Sequence, residues 1–449
     1  MNASLFMEYI DKYFRLVVGK ITEKFNDKSK EQTLMHKTML TEEYSADLNW
    51  GATELNHSIV AADVVALDSP LPLKKRGVIS NASGKLPKIG VKYRKGEKAI
   101  SDINVMIARG ADEATIASKV FDDTTKVIKA IDARTEIMFQ QALSTGVVLA
   151  TDDDNDGTGV RAKFGYKDEN TFHAIKAAWG KDGYTPIDDI QQMFDKAQED
   201  SNAINHVWLS KKYFNLCRNS EQGKLLAAAF SGQVITDKTL LPTPSRSVFL
   251  EALADEFGAT FHIVDSVFKV EKKDGSSEPV KPWEEANLIG TPDSVVGRLV
   301  YGTLAEETNP VSGVNYQKSG SHILVSKYSK TDPLEEFTAG QALAIPVIDG
   351  ADSIYILHAD ATSADSLTVN PESLSFGAAK GNKSFDIHYD GDLDDVTVTS
   401  SQSWATVKKN EDKVTVTVTA NTSAARTATI TVTDGTATAS VVVSQEAGA

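Results

Sequence analysis

Cysteine is almost missing from this chain. Cys217 is the only one in 449 residues, so no disulfide can form within it. That fits a protein made in a reducing compartment and held together by packing. Long apolar runs are missing too: no stretch approaches the ~20 apolar residues that a membrane helix needs. Residues 1–24 lack the apolar core and cleavage site of a signal peptide, because Asp11, Lys12, Arg15 and Lys20 interrupt them. None of the eight histidines sits in a His-x-x-His or His-Glu-x-x-His spacing, so no zinc site is expected. No glycine-rich phosphate loop or nucleophile elbow occurs, so no catalytic site and no cofactor are expected. Lys and Arg are outnumbered by Asp and Glu, 47 to 62, giving a net charge of −15. That balance argues against a chain whose main task is gripping nucleic acid.

What is present is ordinary globular composition, 41% hydrophobic and 24% charged. The length allows two or three domains. The charge is unevenly spread. Residues 66–110 hold ten Lys or Arg against three Asp or Glu, a net of +7, which leaves −22 for the rest. A basic segment in an acidic protein suits contact with another copy of that protein. The expected contact residues are Lys74, Lys75, Arg76, Lys92, Arg94 and Lys95.

Along the chain, Leu5, Phe6, Tyr9, Ile10, Tyr13, Phe14 and Val17 recur at helical spacing. They predict a helix, either packed in its own domain or docked as an arm on a neighbour. Residues 66–110 mix prolines and glycines with short β-type runs, which predicts an extended hairpin. A long helix follows, with Asp112 as N-cap and no Pro or Gly until Gly146. At ~33 residues it would extend ~50 Å and serve as a spine. A hairpin is expected over 147–174. Helices are expected at 187–199 and 211–230, with strands at 206–209 and 260–264. Further strands are expected at 294–304, 322–326 and 353–357. After Ala359 the composition shifts to Thr, Val and Ser in strict alternation, as in Val414, Val416 and Val418. Six or seven short strands there predict an antiparallel sandwich with one wet face.

The order of these parts resembles the Hong Kong 97-like capsid fold of tailed bacteriophages, in its lambda-type branch. The residues that carry the resemblance are Leu67 to Pro72 with Lys74, Lys75 and Arg76, the helix after Asp112, and Ala177-Ala178-Trp179 before Pro186 to Ile190. It covers about residues 1–360. The last ~85 residues resemble a BACON domain, an immunoglobulin-like β-sandwich. They match it in Leu367 to Pro371, Leu374 to Phe376, Ser403-Trp404-Ala405 and Val441 to Gln445.

The resemblance implies an α+β fold with an N-terminal arm at 1–48 and an extended-loop region at 49–111. A spine helix and peripheral hairpin would occupy 112–179, and an axial domain 180–300. Return strands would occupy 301–360, and the sandwich 361–449. It implies a major capsid protein assembling with itself into the hexamers and pentamers of an icosahedral head around double-stranded DNA. Scaffold and portal proteins are implied as partners, non-specific contact with packaged DNA, and host or mucus glycans as targets of an outward sandwich. The implied place is the virion capsid, assembled in the cytoplasm of a Bacteroidetes host. The alternative is a cell-surface carbohydrate-binding protein, which accounts for the last domain alone.

Two local patterns have plainer readings. Asp152, Asp154, Asp156 and Gly157 match half a calcium loop, but Lys163 stands where a glutamate is needed. A solvated acidic turn is expected instead, and no metal. Trp404 could stack on a sugar, but a lone Trp in a small sandwich is expected to anchor the core. No glycan-binding residue is assigned.

Overall fold

A computed structural model describes residues 2–26, 34–51, 83–150, 160–232, 241–272, 275–362, 367–371, 373–389, 393, 396–433 and 438–448. Lys74, Lys75, Arg76, the stretch 67–72 and the acidic turn at 152–157 lie outside them. The class is α+β, as expected. The chain divides into two compact units. The first joins Met1–Asn170, Phe194–Lys211 and Gly258–Tyr355; the second joins Thr171–Met193, Lys212–Phe257 and Ile356–Ala449.

The first unit is organised by one long strand, Leu334–Ile348. At ~3.4 Å per residue its 15 residues reach about 50 Å. Strand Ile323–Thr331 pairs along one side of it, followed by Asn315–Ser319. The other side is shared. Gly297–Gly302 pairs with residues 343–348, and Lys88–Lys95 with 336–343. Leu40–Tyr44 continues the sheet beyond Gly297–Gly302, in parallel. A smaller sheet places His206–Ser210 between Thr260–Val264 and Asn287–Thr291.

Helices cover the large sheet. In helix Met7–Asn26 and the residue before it, Phe6, Ile10, Phe14 and Val18 recur every four residues and are buried. They share a cluster with Val120, Val127, Ile131, Ile323 and Val325. The N-terminal helix therefore packs within its own chain. Gly340 lets the spine helix lie close, since a Cβ there would stand 2.9 Å from the Cβ of Val127.

The spine differs from its expectation. It is two helices, Glu113–Val120 and Asp122–Thr145, interrupted at Phe121. The ends are those expected. Asp112 accepts from the Thr115 N–H, and Gly146 closes the helix at φ +70°. The interruption has tertiary causes. The Phe121 ring stacks on Phe14 at 6.0 Å, and the Val120 carbonyl accepts from the buried Lys327 ammonium at 3.1 Å. Asp122 and Asp123 then open a new helix, where carboxylates favour the positive end.

The extended-hairpin reading of 66–110 also needs correction. Within it Lys88–Lys95 is a strand, but Glu97–Ala108 is a helix that buries Ile100 and Ile103. The hairpin expected over 147–174 is shorter: Val147–Ala150 lies opposite Val160–Lys163, and Thr171–Ala174 pairs instead with the strand Tyr355–Thr362.

In the second unit the expected helix at 211–230 is split into Lys211–Asn219 and Glu221–Phe230. Ser220 is the reason: its hydroxyl accepts from the Gly223 N–H and caps the second piece. Among the described residues the sandwich has eight strands in two four-stranded sheets, where six or seven were expected, and one pair, Ser373–Phe376 with Thr438–Gln445, is parallel. One sheet runs Thr368–Asn370, Gly381–His388, Lys413–Val418, Ala405–Asn410. The other runs Ser373–Phe376, Thr438–Gln445, Arg426–Thr433, Thr397–Ser400. Val414, Val416, Val418, Ile430, Val432, Val441 and Val443 are fully buried. The threonines between them alternate away from the core, as a period of two requires.

Candidate assembly surface

Strand Lys88–Lys95 brings the described part of the basic segment together. Alternation turns Ile89, Val91 and Lys95 toward the helices, and leaves Lys88, Lys92 and Arg94 exposed. Three of the expected contact residues already have neighbours in their own chain. Lys92 lies 5.1 Å from the Phe337 ring. Arg94 pairs with Glu335 at 2.8 Å, yet its side chain stays 66% exposed. Lys95 is nearly buried and pairs with Asp123 at the start of the longer spine helix.

Behind Lys95 lies a buried charged junction that sequence reading missed. Lys327 is fully buried, and its ammonium donates to Val120 O and to Thr338 Oγ1 at 2.7 Å. Burial pushes its pKa down to about 8, against the pull of Glu336. Glu336 is buried too, and burial raises its carboxyl. It accepts from the Ser4 hydroxyl and from the Leu5 N–H at 3.0 Å. The chain start is tied down further by the paired backbones of Asn2 and Ser329. For Asp123 burial opposes the charge, but hydrogen bonds from Lys95 and Lys126 outweigh it and hold the carboxyl low. The available signal was Lys327 itself, a lysine on the inward face of an apolar strand after Ile323 and Val325.

A second buried carboxylate anchors the short helix Met35–Met39 to the spine. Glu136 accepts from Met35 N, His36 N, His36 Nδ1 and Gln140 Nε2, all within 2.9 Å. Lys37 pairs with the neighbouring Asp132 at 2.8 Å. In the second unit Asp189 does the same for a loop. It accepts from Ile175 N and from Trp179 Nε1, both at 2.7 Å. That is the physical content of the Ala177-Ala178-Trp179 and Pro186 to Ile190 stretches. His206 faces His262 at 3.1 Å. Burial, with His206 adding to it, lowers the His262 pKa to about 4. Among the described residues no group of three or more His, Cys, Asp or Glu could hold a metal ion, and no helix is long and apolar enough to cross a membrane.

Residues 18–359 match the family described as phage major capsid protein E. The chain belongs to that family. Residues 394–446 match the BACON binding-domain family, so the capsid protein carries a BACON domain at its C-terminal end. Among solved structures, the chain is similar to the capsid protein of an Escherichia coli CFT073 prophage. The identity is 13% over 80% of this chain and 99% of that one, with a TM-score of 0.47. A phage-related protein from Bordetella bronchiseptica RB50 is similar at 12% identity over 76% and 96%, with a TM-score of 0.43. A protein from Bacteroides thetaiotaomicron is 19% identical over 19% of this chain and 89% of that one, with a TM-score of 0.16. No curated protein sequence matches the chain.

In the sandwich, Trp404 is half-buried against the core cluster, as its plainer reading expected. The Arg426 guanidinium lies over its ring at 4.3 Å. The same group is fixed by Gln445 Oε1 and Thr419 O, both at 2.9 Å. The ring face that a sugar would need is therefore occupied.

Proposed function

We propose that copies of this capsid protein join into hexamers and pentamers and enclose double-stranded DNA in an icosahedral head. The family match over 18–359 carries this reading. The basic segment supplies the contacts between copies. Lys95 is committed to Asp123, so the contacts fall to Lys74, Lys75, Arg76 and the exposed Lys92 and Arg94. Single exposed pairs contribute ~0–1 kcal/mol, but a shell repeats the contact many times. The arm expected over 1–48 is packed in its own chain over the helix Met7–Asn26, and residues 180–300 act as the axial tip of a capsomer. Scaffold and portal proteins guide assembly in the cytoplasm of a Bacteroidetes host, and DNA is held without sequence preference. The surface-lectin alternative accounts for residues 394–446 alone. Negative-stain images of the purified protein should show shells or capsomer rings. A uniform population of monomers at high concentration would overturn the reading.

The BACON domain sits outside the shell in this proposal. Residues 361–449 carry eleven acids and six bases, a net of about −5, which suits solvent better than packaged DNA. Its own buried face lets it be appended without interrupting the capsid core. Weak binding of host or mucus glycans is the use such display serves, through a surface other than the Trp404 ring. Truncation after Ala359 should leave shells of normal size. Protease should reach the domain on intact particles, and density confined to the inner surface would sink the display. Equal binding of full-length and truncated particles to mucin would remove the glycan role alone.

A further inference from the structure

The basic segment needs an acidic surface on another copy, and the first unit has one at an open sheet edge. Among the described residues Leu40–Tyr44 is the outermost strand of the large sheet. Ser45 N donates to Tyr301 O, and Met39 O accepts from Val296 N, so the odd-numbered backbone groups face the neighbouring strand. Strand alternation then turns the N–H and C=O groups of Glu42 and Tyr44 out of the sheet. The Glu42 and Tyr44 side chains are 54% and 53% exposed. Glu43 is 46% exposed and pairs with Arg298. Glu42 lies 4.0 Å from the His322 imidazole, whose pKa burial lowers. Exposed edges are commonly blunted by charged side chains, lysine above all, by proline or by a covering loop, and a charged edge then accepts only a strand of opposite charge. This one carries two carboxylates and no proline.

Lys88–Lys95 is a second open edge. Among the described residues it pairs only with Leu334–Ile348. Pro87 O accepts from Ala344 N, so the backbone groups of Gly90, Lys92 and Arg94 point the other way. One open edge is thus acidic and the other basic. Each repels a second copy of itself and attracts the other.

We propose that Leu40–Tyr44 of one copy pairs edge to edge with Lys88–Lys95 of a second copy, extending the sheet across the contact. Main-chain hydrogen bonds would set the geometry, and charge would select acid against base. The inference rests on the shell reading above and names the surface that the basic strand meets.

The test uses the full chain. Glu42→Pro deletes an N–H that takes no part in the sheet of its own chain. The variant should fold, with unchanged circular dichroism, yet form no shells or rings by light scattering and negative stain. A folded Glu42→Pro protein that assembles like the wild type overturns the pairing. If proline prevents folding, Glu42→Lys takes its place. It should slow assembly at least tenfold, and Lys92→Glu in the same chain should restore most of the loss. Failure of that second change to restore assembly overturns the choice of Lys88–Lys95 as partner. A Lys74→Glu, Lys75→Glu, Arg76→Glu variant separates the two ideas. If it fails to assemble while folded Glu42→Pro assembles normally, the shell reading stands and the edge pairing falls.

Discussion

The sandwich buries valine, isoleucine, leucine and phenylalanine, and its only buried polar side chains among the described residues are Asn421 and Gln445. The first unit buries His36, Asp123, Asp132, Glu136, Lys327 and Glu336. The two interiors therefore hold their chains in different ways. Apolar burial asks only for the right size and the right period. Buried charge asks for a specific partner, and here the partners are far apart in sequence. Glu336 holds Ser4, Glu136 holds His36, and Lys327 holds Val120. Charge in the first unit ties distant segments into one register, whereas the sandwich is self-contained, its core drawn from residues 367–443.

The largest expected effect tests that contrast directly. Glu136→Ala leaves His36 and two backbone N–H groups without their acceptor. Removing one partner of a buried charged network costs ~3–5 kcal/mol. Urea denaturation followed by circular dichroism should show the loss. A cost below about 1 kcal/mol would mean the network is ornament and the contrast false.

Lys327 sharpens the comparison through pH. Its folded pKa is about 8, against an ordinary value of 10.5. Between those limits the unfolded chain binds the proton more readily, so this group adds stability as pH rises. Below pH 8 the cost of the buried charge is present in full. Lys327→Met lacks that cost at every pH. The wild type should therefore gain on the variant by about 3 kcal/mol between pH 8 and 10.5. Paired denaturation curves at the two ends check this. A constant difference would show that the ammonium is not confined as the structure has it.

Val416→Ala examines the other region. The residue is fully buried, and the change costs about 2 kcal/mol. The melting transition of the sandwich should shift while that of the capsid region does not. Equal shifts in both would break the claim that the sandwich is self-contained.

The same contrast explains what could be read in advance. The sandwich was legible because Val414, Val416 and Val418 state its period locally. The helix ends at Asp112 and Gly146 were legible because capping is chemistry of a few adjacent residues. The interruption at Phe121 was not, since its causes are Lys327 and Phe14, each more than a hundred residues away. Helix Glu97–Ala108 did leave a trace in Ile100 and Ile103, but the glycines and prolines before it dominated the reading of that stretch. The open acidic edge was invisible because Glu42 and Glu43 acquire meaning only once Leu40–Tyr44 is outermost. In-chain partners for Arg94 and Lys95 needed the fold as well.

Arg426→Ala carries the smallest expected effect and tests the place where the sandwich relies on charge. The guanidinium lies on the Trp404 ring and donates to Thr419 O and Gln445 Oε1. A cation over an exposed or half-buried ring contributes ~0.5–1 kcal/mol, and the largely solvent-exposed hydrogen bonds from the guanidinium add a similar amount. The expected loss is about 1 kcal/mol, small beside that of Val416→Ala, because the valine core is left whole. The optical effect should be clearer than the energetic one. Trp404 loses its cover, so its fluorescence should shift to the red while the sandwich stays folded. The substitution also opens the ring face a sugar would stack on. If Arg426→Ala raises mucin binding, the arginine is a lid on a usable platform. If binding is unchanged while the ring is exposed, Trp404 belongs to the core alone, and any glycan contact lies on the threonine-rich outer faces.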